Sequence, residues 1–226
     1  MSNSESNETL TRMGPGAAMG RVFRQFWQPA LLSEELPVAD CPPVRVRLMG
    51  EDFVAFRDSS GKVGLLDAHC PHRLADLFFG RNEEGGLRCV YHGWKFSVAG
   101  EILDMPSEPQ GSPMRCNPNL RAKAYPVREA GGIIWAYLGP QESMPALPDM
   151  EFMSLPPQNV HVSKCLMKCN YLQALEGSID TAHLTFLHHS MAPMEKDVFA
   201  VGNLQEFGDA DGAPRFFCED TDFGMR

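Results

Sequence analysis

No apolar run in this 226-residue chain approaches the roughly 18 residues that a membrane-spanning helix needs, which excludes a helical membrane protein. Residues 1–20 are polar and acidic and lack the apolar stretch of a secretion signal. Basic blocks are missing too: the net charge is -9, and without a positive footprint there is nothing to hold phosphates, so nucleic acid is excluded as a partner. No internal repeat or low-complexity tract is visible in the chain. With 43% hydrophobic and 22% charged residues, what is left is a soluble globular chain long enough for one large or two modest domains.

Against this background four residues stand out. Cys70 and His72 form Cys-Pro-His, and Cys89 and His92 form Cys-Val-Tyr-His, with sixteen residues between the half-motifs. Two thiolates and two imidazoles make a Rieske-type 2Fe-2S ligand set, one iron taking both cysteines and the other both histidines. Neutral imidazoles in place of anionic thiolates let the His-bound iron accept an electron more readily, so the expected task is relaying single electrons. Tetrahedral zinc is the competing reading, since Cys2His2 suits it as well. Zinc fingers, however, pair Cys with Cys and His with His, whereas each half-motif here supplies one of each. Cys41, Cys116, Cys165, Cys169 and Cys218 lie outside the ligand loops, so no third cysteine sits beside either pair to staple them. Cys165 and Cys169 have no matching pair and read as ordinary thiols. Seven cysteines with a cluster motif point to a reducing compartment, and a cytoplasmic location is expected.

Flanking patterns predict strands. Val44–Met49, Phe53–Arg57 and Lys62–Asp67 alternate or run apolar between turn signals at residues 50–52 and 58–61, an antiparallel meander leading to Cys70. Arg88–Tyr91 and Trp94–Val98 bracket the second half-motif, with a turn at His92-Gly93. Both ligand pairs are thereby expected on loop tips of a small β-domain. Arg21–Leu36 reads as a short amphipathic or irregular segment broken at Pro29; the domain closes with the apolar strand Gly132–Leu138. Five prolines in Gly139–Pro157 mark a linker or domain edge; beyond it Val160–Leu166 reads as a strand and Asn170–Leu187 as a helix. The turn signal Gly-Asp-Ala-Asp-Gly at 208–212 is expected between two strands.

The predicted helix carries Asn170, Gln173, Glu176, Asp180, His183 and His188. Two histidines and a carboxylate compose a mononuclear Fe(II) facial triad, with positions left open for oxygen. Residues on a helix advance about 100° each, so Asp180 and His183 share a face whereas His183 and His188 stand about 140° apart. For both histidines to bind one iron the helix must distort or end near Phe186, and Asp180 becomes a hydrogen-bonding partner of an imidazole rather than a ligand. Two histidines five apart are also explained as surface residues, His189 competes with His188 as ligand, and Asn170, Gln173 and Glu176 could be a solvated stripe.

Together, Cys-x-His, Cys-x-x-His and Asn-x-x-Gln-x-x-Glu-Gly-x-x-Asp-x-x-His-x-x-x-x-His resemble the α-subunit of Rieske non-haem iron ring-hydroxylating oxygenases. Leu10-Thr-Arg-Met-Gly-Pro-Gly, Pro29-Ala-Leu-Leu-Ser-Glu-Glu-Leu-Pro and Cys89-Val-Tyr-His-Gly-Trp-Lys-Phe are similar to the phthalate 4,5-dioxygenase-like branch. The resemblance implies an α+β protein: a segment 1–40 packing on the catalytic domain, an antiparallel Rieske domain at 41–138, a Pro-rich linker at 139–157, and at 158–226 the start of a helix-grip catalytic domain. It implies Cys70, His72, Cys89 and His92 as ligands of a 2Fe-2S cluster, His183 and His188 as ligands of a mononuclear Fe(II), and Asp180 as the carboxylate bridging an iron histidine to a cluster histidine, matching His92, across subunits. The family's third iron ligand comes from a later helix, which Glu219, Asp220 and Asp222 do not match, so the chain is expected to be the N-terminal portion of a longer oxygenase or a truncated gene product. Implied partners are a reductase carrying flavin and an iron-sulfur cluster and using NADH or NADPH, O2, and an aromatic substrate. The implied assembly is a homotrimer or stacked trimers. The reaction expected is dioxygenation, monooxygenation or O-demethylation. A carboxylated substrate would suit a guanidinium, for which Arg215 is the candidate, an exposed arginine beside a turn being the plainer explanation. The rival functions are a Rieske electron carrier without oxygen chemistry of its own and a zinc-binding interaction module.

Overall fold

A computed structural model describes residues 4–180, 182–187, 212–213, 215–222 and 224–225. Two compact units divide the chain, Met1–Leu166 and Met167–Arg226.

The first unit opens with two short helices, α1 (Ser4–Thr11) and α2 (Ala18–Phe23), followed by eleven strands among its described residues. These are β1 (Trp27–Leu32), β2 (Val44–Leu48), β3 (Glu51–Arg57), β4 (Val63–Asp67), β5 (Arg81–Glu83), β6 (Gly86–Arg88), β7 (Lys95–Phe96), β8 (Ile102–Asp104), β9 (Ala124–Tyr125), β10 (Val127–Ala130) and β11 (Ile133–Tyr137). Three antiparallel sheets result, in the orders β1-β11-β10, β2-β3-β4-β9 and β5-β6-β7-β8.

The expected meander is present, with its first turn one step earlier than the polar residues predict. Met49 and Gly50 take φ of +47° and +79°, the geometry of a two-residue primed hairpin, and Glu51 and Asp52 belong to β3. The second turn is held by Asp58, whose Oδ1 accepts from Ser60 N–H, Ser60 Oγ and Lys62 N–H. Strand β3 is central and covered on both faces, which is why Phe53–Phe56 reads as a continuous apolar run. Phe53, Ala55 and Leu65 face a core shared with Leu31, Leu36, Ile134 and Ala136. Val54, Phe56 and Leu66 face a second core containing Leu77, Leu87, Trp94, Phe96, Cys70 and Cys89. Each fully buried large side chain there contributes about 1.5–3 kcal/mol of transfer free energy, so Cys70 and Cys89 are set in a buried apolar core.

Several expectations are corrected. Residues 27–32 are not broken at Pro29; they form β1, paired with β11, and the edge position with a bulge between Pro29 and Leu31 tolerates the missing N–H. Part of the 1–40 segment is thus a strand in the same unit as the cluster motifs. The Pro-rich stretch is packed: Met144, Leu147, Met150, Phe152 and Met153 lie against Trp27, Trp135 and Tyr137, and Trp27 Nε1 donates to the Pro145 carbonyl at 2.9 Å. Val160–Leu166 is not a strand; it has no ladder partner, and five of its seven residues are exposed, so its β-branched residues have no sheet to join.

In the second unit the predicted Asn170–Leu187 helix is two helices, α3 (Tyr171–Ile179) and α4 (Ala182–Leu187). An additional break falls at Asp180, and α4 is described as far as Leu187, beyond which residues 188–211 lie outside the described residues. Asp180, the C-cap of α3, is extended (φ -68°, ψ 114°), and its Oδ1 accepts from the Ala182 N–H at 2.9 Å, a local side-chain turn that competes with helix continuation. Residues 208–211 of the predicted turn lie outside the described residues. A short hairpin of β12 (Asp220–Thr221) and β13 (Gly224–Met225) closes the described part of the chain.

Candidate metal centre

The two half-motifs form loops with the same backbone plan. In the first, the Cys70 N–H donates to the Ala75 carbonyl (2.9 Å) and the Leu74 N–H to the Cys70 carbonyl (2.9 Å). In the second, the Cys89 N–H donates to the Trp94 carbonyl (2.8 Å) and the Gly93 N–H to the Cys89 carbonyl (3.1 Å). Each loop therefore closes four and five residues after its cysteine, and each has its fourth residue in the left-handed region, Leu74 at φ +55° and Gly93 at +76°. Glycine takes that conformation without cost, whereas leucine is strained there. A bridge between His69 and Asp76 closes the base of the first loop, and β6 and β7 flank the second.

Beneath the second loop lies an ionic network. The Arg88 guanidinium, only 11% exposed, donates to Glu83 (2.7 Å), Asp104 (2.8 Å) and the Gly93 carbonyl (2.7 Å). Hydrogen bonds from Arg88 hold the Asp104 carboxyl below the usual carboxylate range, and Glu83 is held low by Arg81 and Arg88. This arginine ties the loop backbone to β5 and β8.

The four candidate ligands converge with their chemistry sorted by depth. Cys70 and Cys89 are buried, 2% and 3% exposed, while His72 and His92 are half-buried at the surface side. Burial pushes the Cys70 thiol up to about 11, the neighbouring Cys89 adding to the effect while the backbone N–H groups of His72 and Arg73 pull the other way. Those N–H groups are aimed at the sulfur, an arrangement that favours a thiolate once a metal takes its proton. The imidazoles of His72 and His92 meet edge to face, ring centres 4.6 Å apart. His72 Nδ1 is buried and has no hydrogen-bond partner. Burial, together with the charge of His92, lowers the His72 pKa, so the ring is held neutral with a lone pair to give.

An orphaned imidazole nitrogen beside two adjacent thiols is a donor set that fits a 2Fe-2S cluster, Cys pair inward and His pair outward. Tetrahedral zinc would need all four donors around one point, whereas here the two thiols lie inward and the two imidazoles outward. Matches to known proteins agree. Residues 26–126 match the Rieske [2Fe-2S] domain, and residues 136–226 match the domain described as LigXa C-terminal domain like. The chain belongs to the Rieske oxygenases.

Relatives of this Rieske oxygenase chain include a 3-chlorobenzoate-3,4-dioxygenase oxygenase subunit of Comamonas testosteroni, 49% identical over 83% of this chain and 43% of that protein. A phthalate 4,5-dioxygenase oxygenase subunit of Pseudomonas putida is 42% identical over 100% of this chain and 52% of that protein. Among solved structures, dicamba monooxygenase bound to 3,6-dichlorosalicylic acid superposes with a TM-score of 0.61 at 26% identity, over 73% of this chain and 47% of that one. The chain thus spans about half the length of the relatives it matches. No helix among the described residues is long and apolar enough to cross a membrane.

The remaining candidates lie in the second unit. His183 Nδ1 stands 3.2 Å from Asp180 Oδ2, the contact expected between them, made across a helix cap rather than along one helix face. Asn170 caps α3 by accepting from the Gln173 N–H (2.9 Å), and Gln173 and Glu176 are exposed, joined at 3.4 Å. His188 and His189 lie outside the described residues. Arg215 is exposed, in the stretch before the β12–β13 hairpin. Sequence reasoning missed Leu74, Arg88 and Trp94, which shape the ligand loops without binding metal. Only Trp94 left a signal, as part of the His-Gly-Trp-Lys-Phe wording.

Proposed function

We propose that this chain is the cluster-bearing N-terminal part of the oxygenase component of a multicomponent Rieske system. Its cluster domain spans residues 41–138, the Pro-rich stretch 139–157 comes next, and a mononuclear iron domain starts from 158. Cys70, His72, Cys89 and His92 hold the cluster. When bound, the cluster supplies a one-electron store with its electron-accepting iron on the histidine side. The buried cysteines keep water from the sulfur side, and the half-buried histidines are the part of the site that a partner meets. His183 and His188 serve the mononuclear Fe(II). Asp180, by accepting from Nδ1–H of His183, fixes the tautomer that offers Nε2 to a metal.

The complete enzyme takes electrons from a cytoplasmic reductase that carries flavin and an iron-sulfur centre and uses NADH or NADPH. It assembles as a homotrimer or stacked trimers and hydroxylates an aromatic substrate with O2. The names of the relatives favour an aromatic carboxylate, for which Arg215 is a candidate partner. The observation that carries the reading is the orphaned Nδ1 of His72 beside two adjacent buried thiols. Anaerobic purification of the chain tests it: a red-brown protein with about two irons per chain and a reduced-state paramagnetic resonance signal of average g below the free-electron value is expected. A colourless protein with stoichiometric zinc overturns it.

A further inference from the structure

The two ligand loops leave different strands, and no disulfide joins them, since all seven cysteines are free. A ring stack does. Trp94, at the end of the second loop, lies 4.4 Å from His72 of the first, their planes within 3° of parallel. Trp94 is fully buried among Leu77, Leu87 and Phe96. Its indole N–H donates to Ser107 Oγ at 3.2 Å, which restricts rotation of the ring about its own bond. Ser107 sits in a cross-tied segment: the Arg115 guanidinium donates to the carbonyls of Met105, Glu108 and Pro109, and the ring of Pro106 occupies the space that a Cβ at Gly93 would need. His92 is placed differently. Its neighbour Tyr91 is tilted by 40° and 62% exposed.

We propose that Trp94, held in plane by Ser107, is a positioning residue that clasps the two ligand loops together by fixing the ring of His72. It does mechanically what a disulfide between the loops would do, and it sets the direction of Nδ1 before any metal arrives. The physical basis is preorganisation: a rigid indole has few torsions to lose, one end of it is hydrogen-bonded, and its face leaves the imidazole a single plane. The proposal rests on His72 being a cluster ligand, which the iron content and resonance signal of the unaltered chain test separately from any Trp94 or Ser107 variant.

The full chain with its cluster is compared with Ser107→Ala, Trp94→Phe and the double variant. Two readouts are used: the rate at which an iron chelator bleaches the visible absorbance, and the nitrogen hyperfine couplings of the two ligand histidines by electron–nuclear double resonance. Each single variant is expected to load iron fully, to bleach about twofold to tenfold faster, the range that one aromatic pair represents, and to shift one nitrogen coupling while leaving the other in place. The double variant should behave as Trp94→Phe alone, because Ser107 acts through the indole. Native couplings and bleaching in both single variants overturn the proposal. So does a Ser107→Ala effect that persists undiminished in the Trp94→Phe background, or an equal shift of both nitrogens. If Trp94→Phe fails to load its cluster, Ser107→Ala decides, since it removes an exposed hydroxyl and no core volume.

Discussion

Gly93 is where the second ligand loop leaves least room, and two glycine substitutions measure how little. At Gly93 φ is +76°, and a Cβ would stand 2.7 Å from Cγ of Pro106, a ring atom that cannot swing away. At Gly85, in the β5–β6 hairpin, φ is +78° and nothing lies within 4 Å of the same atom. Alanine at either position takes a left-handed conformation at a cost of about 1–2 kcal/mol. Only at position 93 does it also overpack, which adds about 1–3 kcal/mol. The entropy that alanine removes from the unfolded chain is common to both and cancels in the difference. Gly93→Ala should thus be less stable than Gly85→Ala by about 1–3 kcal/mol, which lowers the melting temperature by a further 2–12 °C or so. Calorimetry of the cluster-loaded chain measures this, and repeating it in a Pro106→Ala background should erase most of the difference. Equal melting temperatures for the two glycine variants would refute the claim that Pro106 buttresses the loop.

Three other outcomes are expected. His92→Cys should retain a 2Fe-2S centre at a lower potential, because an anionic thiolate stabilises the oxidised iron, while Cys70→Ala should abolish the visible absorption; voltammetry and spectra decide, and an unchanged or raised potential counts against His92 as a ligand. Asp104, held below the ordinary carboxylate range by the hydrogen bond from Arg88, contributes stability that is present above the unfolded value of about 4 and lost as pH falls through its folded value. Asp104→Asn should therefore flatten the acid side of the melting-temperature profile, and an acid slope identical to that of the unaltered chain would exclude the network as its source. In the full-length enzyme, Asp180→Asn keeps the capping oxygen and so the start of α4, but removes the charge facing His183. Both metals should stay bound while reoxidation of the reduced cluster slows in stopped flow; loss of the mononuclear iron with normal reoxidation after iron is restored would make Asp180 a ligand or structural residue instead.

What the sequence determined by itself was chemistry and local pattern. Cys-x-His and Cys-x-x-His single out candidate ligands because metal donors must come from particular side chains at short spacing, and the run Phe53–Phe56 fits a doubly covered strand because burial on two faces forbids polar residues. Asp180 and His183 were legible as partners for the same reason of proximity. Tertiary structure alone decided what depends on which segment arrives from elsewhere. Pro29 could sit in a strand only because β1 is an edge, and Val160–Leu166 stayed irregular because no ladder was there to receive it. The helix is interrupted at Asp180, where the carboxylate oxygen takes the Ala182 N–H, a local competition that periodicity cannot register. Likewise Trp94 could meet His72, twenty-two positions earlier, only once two sheets had brought their loops to the same end of the core. Side-chain identity is written locally; contact between distant segments is a property of the packed chain.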